Sequence, residues 1–212
     1  MQDNDSLAIK DLVATASPII KTLVDTFVTP KLEQFRDKFK DDSKINLLPS
    51  ESHFTEYYHR TYKRLIVVST LVFNNSQRLL SEIFLPLTLT NKNDDKLKVK
   101  ISGYPQEISD EFSNILITDT AGMGKSTLMK VIFIDIVNNN IGIPIFIELR
   151  RLSANKKLLQ EIQEQINALD KSLDLELLRT LLAEGGFVII LDGYDEISLV
   201  DRDVVTADIQ DF

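Results

Sequence analysis

The chain has 212 residues, 43% hydrophobic and 26% charged, with only 7 Gly and 6 Pro. That balance supports a genuine buried core and excludes collagen-like and low-complexity classes. Cysteine is absent, which excludes disulfide scaffolds, zinc ribbons and thiol catalysis and leads us to expect a reducing, cytoplasmic setting.

The net charge of −8 is unevenly placed: residues 1–111 carry 15 basic and 16 acidic side chains, and residues 112–212 carry 9 and 16. The acidic second half repels phosphate backbones, so nucleic-acid binding is not expected, and any phosphate site there must be local. No run of 18 apolar residues occurs, and Met1 to Asp5 is polar and acidic. Neither a membrane-spanning helix, a signal peptide nor membrane binding is therefore expected.

Residues 1–82 read as an all-α N-terminal region. Leu12, Val13, Ala16, Ile20, Leu23, Val24 and Phe27 recur at helical spacing. Pro18 interrupts that run, and Thr29-Pro30 reads as a new helix start. Another helix is expected from about Ser52, with Phe54, Tyr58, Tyr62 and Leu65 on one face. Those aromatics read as core rather than as a base-stacking platform. His53 and His59 lie on different sides of that helix and do not form a metal pair. Arg60, Lys63 and Arg64 read as a solvated basic face. Leu65 to Phe73 is ambiguous between strand and helix, and the spacing of Leu79, Leu80 and Phe84 favours helix. Residues 83–111 read as a connector: a short strand over Phe84 to Thr90, a charged exposed loop over Asn91 to Lys100, and a turn at Gly103-Tyr104-Pro105.

Residues 112–212 change to alternating strand and helix. Strands are expected at Ile115 to Ile117, Ile143 to Leu149 and Phe187 to Leu191. Helices are expected over Lys125 to Val137, after Ser153 (Leu158, Ile162, Ile166, Leu169), after Ser172 (Leu177, Leu178, Leu181, Leu182) and over Val204 to Phe212. Continuous apolar strands joined by helices predict an α/β fold with a parallel sheet covered on both faces.

Two motifs carry chemistry. Ala121-Gly122-Met123-Gly124-Lys125-Ser126-Thr127 stands between a predicted strand and a predicted helix. Gly lets successive backbone N–H groups curl towards a phosphate, and the helix N-terminus adds its positive dipole end. In such a loop Lys125 reaches the β- and γ-phosphates, and Ser126 supplies a hard oxygen to Mg²⁺. Asp119 occupies the position where the usual pattern has its first Gly, and is expected to point outward. The second motif, Phe187 to Glu196, is an apolar strand ending in Asp192-Gly193-Tyr194-Asp195-Glu196. Ligands gather at the C-terminal ends of parallel strands. Asp192 is the candidate Mg²⁺ ligand, and Asp195 and Glu196 are the candidates to orient or deprotonate an attacking water.

Together, TDTAGMGKSTL (Thr118 to Leu128), IPIFIELRRL (Ile143 to Leu152) and IILDGYDEI (Ile189 to Ile197) resemble the NACHT family of STAND P-loop NTPases. The resemblance covers about residues 83–212, more weakly the helical region before it. It implies a P-loop NTPase sheet, ATP/ADP and Mg²⁺ as ligands, and a nucleotide-dependent switch that self-associates with ATP. It also implies a role in bacterial innate immunity against phage. By position it assigns phosphate binding to Lys125, Mg²⁺ to Ser126 and Asp192, and water handling to Asp195 or Glu196.

In that fold a further strand inserts between the acidic-motif strand and the loop strand. The sequence holds only 16 residues after Glu196. The expectation is therefore an incomplete sheet, marginal folding and poor hydrolysis. Two other functions compete: a small-substrate P-loop kinase, and a helical interaction module with a vestigial NTPase part. No Arg-rich lid follows the acidic motif, which weighs against the kinase. Arg150 and Arg151, at a strand end near the site, are candidates to contact a neighbour's phosphate, though a surface role is the stronger reading.

Overall fold

The computed structural model describes residues 15–69, 77–92, 94–167 and 173–212, and shows a mixed α/β chain. Residues 15–23 are helical and run without a break through a π-turn, Val24–Val28, into helix α1, Thr29–Lys38. Thr29-Pro30 is therefore not a helix start. Proline has no N–H to offer the carbonyl four residues back, and its ring crowds that carbonyl. The wider turn absorbs both problems, with the Thr29 N–H donating to Val24 O, five residues back. Ala16, Ile20, Leu23 and Val24 are buried as expected, while Leu12 and Val13 lie outside the described residues.

Helix α2, Glu51–Leu65, opens on a reciprocal cap. The Ser50 N–H donates to His53 Nδ1 at 3.1 Å, and the Ser50 hydroxyl lies 2.6 Å from the same nitrogen. This gives His53 a packing role. Phe54, Tyr57, Tyr58, Tyr62 and Leu65 are all buried, so the aromatic stripe is core. Tyr57 and Tyr58 meet Phe133, and Phe133 meets Phe146 edge-on at 6.1 Å.

The sequence favours a helix beyond Leu65, but the structure ends it there. Strand β1, Val67–Ser69, pairs antiparallel with β2, Gln77–Leu79, and a single helical turn follows (α3, Leu80–Ile83). Val67 and Val68 are β-branched and suit the pleat, so the N-terminal region is not all-α. Phe73 lies outside the described residues. A second correction concerns the charged connector. Strand β3, Leu87–Asn91, pairs antiparallel with β4, Asp94–Ile101, through a register shift at Thr90/Asn91. What reads as a loop is a strand, because Leu97, Val99 and Ile101 alternate with lysines in the sequence.

After helix α4, Gln106–Glu111, comes a third correction. Residues 114–120 have no ladder partner among the described residues, and Leu116 is 87% exposed. Apolar character alone does not make a strand: a neighbour must take up the backbone donors and acceptors.

Helix α5, Lys125–Asn139, follows, then β5, Ile143–Glu148, helices α6, Leu158–Ile166, and α7, Leu175–Ala183, and β6, Phe187–Asp192. Strands β5 and β6 pair parallel in register from Ile143↔Phe187 to Glu148↔Asp192. Ile143, Pro144, Ile145, Phe146 and Ile147 are all buried although neighbours point to opposite faces, so both faces of β5 are covered. Helix α6 starts at Leu158, later than Ser153. Helix α7 is capped by Asp174, whose carboxylate accepts from Glu176 N and Leu177 N. Leu169 and Ser172 lie outside the described residues. Helix α8, Arg202–Asp211, closes the described chain.

One apolar cluster runs from Ala16 through α2 and the β5–β6 pair to Val205. Its deepest polar link joins the two halves of the chain: the Phe146 N–H donates to Tyr57 Oη at 2.7 Å, within the core. Helix α2 thus supplies an acceptor to β5 that no strand among the described residues provides.

Candidate functional site

The glycine-rich loop leads straight into α5. Gly122 and Gly124 have φ of 83° and 86°, the left-handed region that side chains with a Cβ avoid. Gly124 is also the N-cap of α5, and a Cβ there would come within 3.7 Å of Leu87 on β3. Ala121, Gly122 and Met123 are exposed, whereas Lys125, Ser126 and Thr127 are partly buried at the helix start. The Lys125 ammonium donates to the carbonyls of Asp119 and Thr120, both at 2.9 Å, folding back over its own loop. The exposed Asp119 carboxylate accepts from Thr120 N at 2.7 Å, so it engages its own chain rather than the lysine.

The two motifs meet. Ser126, at the start of α5, lies beside the Asp192 carboxyl at the end of β6, near enough to favour its ionised form. Burial pushes the Asp192 pKa above its ordinary value. Ser126 and Lys130 oppose that rise, and Glu196 and Glu148 add to it. Ser126, Asp192 and Lys130 therefore lie at one place, and α5 is fixed there from behind. Asp135 accepts the Tyr104 N–H at 2.8 Å, where Gly103 leaves room for the carboxylate that a Cβ would take.

Beyond Asp192 the chain turns sharply. Gly193 has φ 80° and begins a 3₁₀ turn, Tyr194–Glu196, which leaves Asp195 and Glu196 exposed. A Cβ on Gly193 would stand 3.3 Å from Glu196 Cδ, so the Glu196 side chain folds back across the glycine. Helix α8 holds the turn. Arg202 donates to Asp195 O at 3.4 Å and Ile197 O at 3.3 Å, and Tyr194 Oη lies 2.8 Å from Thr206 Oγ1.

Arg150 and Arg151 are engaged within the chain. Arg150 pairs with Glu148 and with Glu196, each at 3.2 Å, and Arg151 pairs with Glu148 at 3.3 Å and the buried Glu161 at 3.5 Å. Glu148, Lys130 and Arg64 are site-side residues that the motif reading does not pick out. The register Glu148↔Asp192 shows why Glu148 belongs: a parallel partner at the strand end shares the site edge. The Glu-x-Arg-Arg spacing at a predicted strand end was the available signal.

The donor set suits a hard cation shared with phosphate. Mg²⁺ keeps most of its water and phosphate oxygens and takes one or two protein oxygens, such as a hydroxyl and a carboxylate. Among the described residues no group of three acidic or histidine side chains forms a metal cluster. Among the same residues, no helix is long and apolar enough to cross a membrane. No family model matches the chain, and neither a curated protein nor a solved structure matches it.

Proposed function

We propose that this chain binds ATP and ADP with Mg²⁺ through a P-loop and works as a nucleotide-dependent switch of the NACHT type. The observation that carries the reading is the convergence of Ser126, at the start of the loop helix, with Asp192, at the end of an apolar parallel strand. A glycine-rich turn alone has no reason to meet a half-buried carboxylate 66 residues away in sequence.

In this reading the loop N–H groups of Gly122 to Ser126 and the dipole end of α5 cradle the phosphates. Lys125 leaves the Asp119 and Thr120 carbonyls, which mark where its charge is held at rest, and pairs with the β- and γ-phosphates. Ser126 and Asp192 hold the Mg²⁺, whose chemistry is to neutralise phosphate charge. Asp195 and Glu196 are the groups available to orient water. The NACHT resemblance supplies the finer parts of the proposal: ATP-driven self-association, and a setting in bacterial antiphage defence.

The test is a titration of a fluorescent ATP analogue with and without Mg²⁺. The native chain should bind with a clear Mg²⁺ dependence, and Ser126→Ala should lose that dependence. Equal Mg²⁺ dependence in Ser126→Ala would contradict the assignment. Phosphorylation of a small hydroxylated acceptor would favour the kinase reading instead.

A further inference from the structure

Arg150 joins two carboxylates of different standing. Glu148 is mostly buried and is met by three guanidinium groups: Arg64 at 3.7 Å, Arg150 at 3.2 Å and Arg151 at 3.3 Å. Burial alone would raise the Glu148 pKa, yet these arginines, Arg64 first, hold it below the ordinary value. It is a fixed pivot. Glu196 is exposed, begins where Gly193 turns the chain, and has its side chain folded back over that glycine. Its carboxylate ends on Arg150, whose side chain is 57% exposed. An exposed pair of this kind is weak and breakable, and Glu148, shared by three arginines, is the better held of the two carboxylates.

The pivot also has a far side. Arg64 lies in the last turn of α2, in the N-terminal helical layer, with its guanidinium 6.0 Å from the centre of the Phe146 ring. The chain of contacts Arg64–Glu148–Arg150–Glu196 therefore crosses four segments: α2, the end of β5, the 3₁₀ turn Leu149–Arg151 and the turn after β6.

We infer that Arg150 is a positioning residue that restrains Glu196 at rest, and that Arg64, acting through Glu148, sets how firmly it does so. A carboxylate engaged with a guanidinium is a poorer water acceptor than a free one. Breaking the Arg150–Glu196 contact frees Glu196, and any displacement of α2 that pulls Arg64 from Glu148 loosens the same contact. The functional part of this inference rests on the nucleotide-site reading above.

Two measurements on the full chain separate the relay from that reading. The first is hydrogen–deuterium exchange over residues 193–201 without nucleotide, in the native chain and in Arg64→Gln, Glu148→Gln and Arg150→Gln. Faster exchange in all three variants is expected, with partial recovery in Arg150→Lys, which keeps the charge but not the two-armed fork. Unchanged exchange in Arg64→Gln and Arg150→Gln would overturn the relay, and both substitutions sit at partly exposed side chains that do not threaten folding.

The second is steady-state hydrolysis of Mg²⁺-ATP. Arg150→Gln should raise kcat about three- to five-fold, the scale of one exposed ion pair, with KM changed by less than about two-fold. In a Glu196→Gln background the same substitution should have no effect. A fall in kcat, or an equal rise in the Glu196→Gln background, would overturn the restraint. If the native chain binds no nucleotide, the nucleotide-site reading fails, and the exchange result still decides the relay.

Discussion

Tyr57→Phe removes one oxygen and tests the joint between the N-terminal helical layer and the parallel strands. The Tyr57 hydroxyl is fully buried and accepts the Phe146 N–H at 2.7 Å. Burial pushes its pKa up to about 12, so it is neutral at any working pH. Phenylalanine keeps the ring and its contact with Phe133 but leaves a buried peptide N–H without a partner. Such an orphan costs about 1–3 kcal/mol, so we expect a loss of about 2 kcal/mol. For a chain of this size that lowers Tm by about 4–8 °C. Urea unfolding followed by far-ultraviolet circular dichroism measures it, with Tyr194→Phe as the control. The Tyr194 hydroxyl meets Thr206 at the surface, and its loss should stay within about 0.5 kcal/mol. A Tyr57→Phe variant no less stable than that control would refute the argument that α2 serves the β5 backbone.

Three further outcomes follow from the site. Gly193→Ala should lose about 1–2 kcal/mol in the same unfolding assay, because φ is 80° there and the new methyl meets Glu196; native stability would contradict this. Glu161 is 0% exposed and pairs with Lys156 at 2.5 Å and Arg151 at 3.5 Å. Glu161→Gln should cost about 1–2 kcal/mol by turning two charge-assisted contacts into neutral ones, while Lys156 keeps Glu164 and Arg151 keeps Glu148, and a loss within that of a surface substitution would refute it.

The Asp192 pKa lies above its unfolded value, so the folded state binds the extra proton and the ionised form is a burden on folding. That burden is full above the raised pKa and vanishes as pH falls below the ordinary 3.8. Asp192→Asn should therefore be at least as stable as the native chain at neutral pH and lose its advantage on acidification, while losing Mg²⁺-dependent nucleotide binding. An advantage that grows on acidification would show the sign to be wrong.

The parts legible in the sequence are those where one local rule decides. Ile143 to Ile147 and Phe187 to Leu191 are apolar at every position, as parallel strands are, and β5 is buried throughout while β6 is partly buried. Gly122 and Gly124 stand where φ must be positive, just before a helix. The aromatic stripe of α2 declares its buried face by spacing.

The misreadings arise where two rules compete. In β4, the charge of Lys96, Lys98 and Lys100 masked the alternation of the apolar residues between them. Pro30 reads as a helix start because a π-turn leaves no mark of its own in composition. Ile115 to Ile117 has strand composition, but pairing is a property of neighbours, which the segment does not carry. The Arg150 contacts are of the same kind: both of its acids appear in the sequence, but only the parallel register brings them to one guanidinium.

The central claim is that the loop from Ala121 to Thr127 and the acid Asp192 form one nucleotide site. Isothermal titration of ATP and of ADP, with Mg²⁺, into the native chain and into Lys125→Ala tests it most directly. Saturable binding by the native chain, lost or weakened at least about ten-fold in Lys125→Ala, is the predicted result. No binding by the native chain, or equal binding by both, would contradict it.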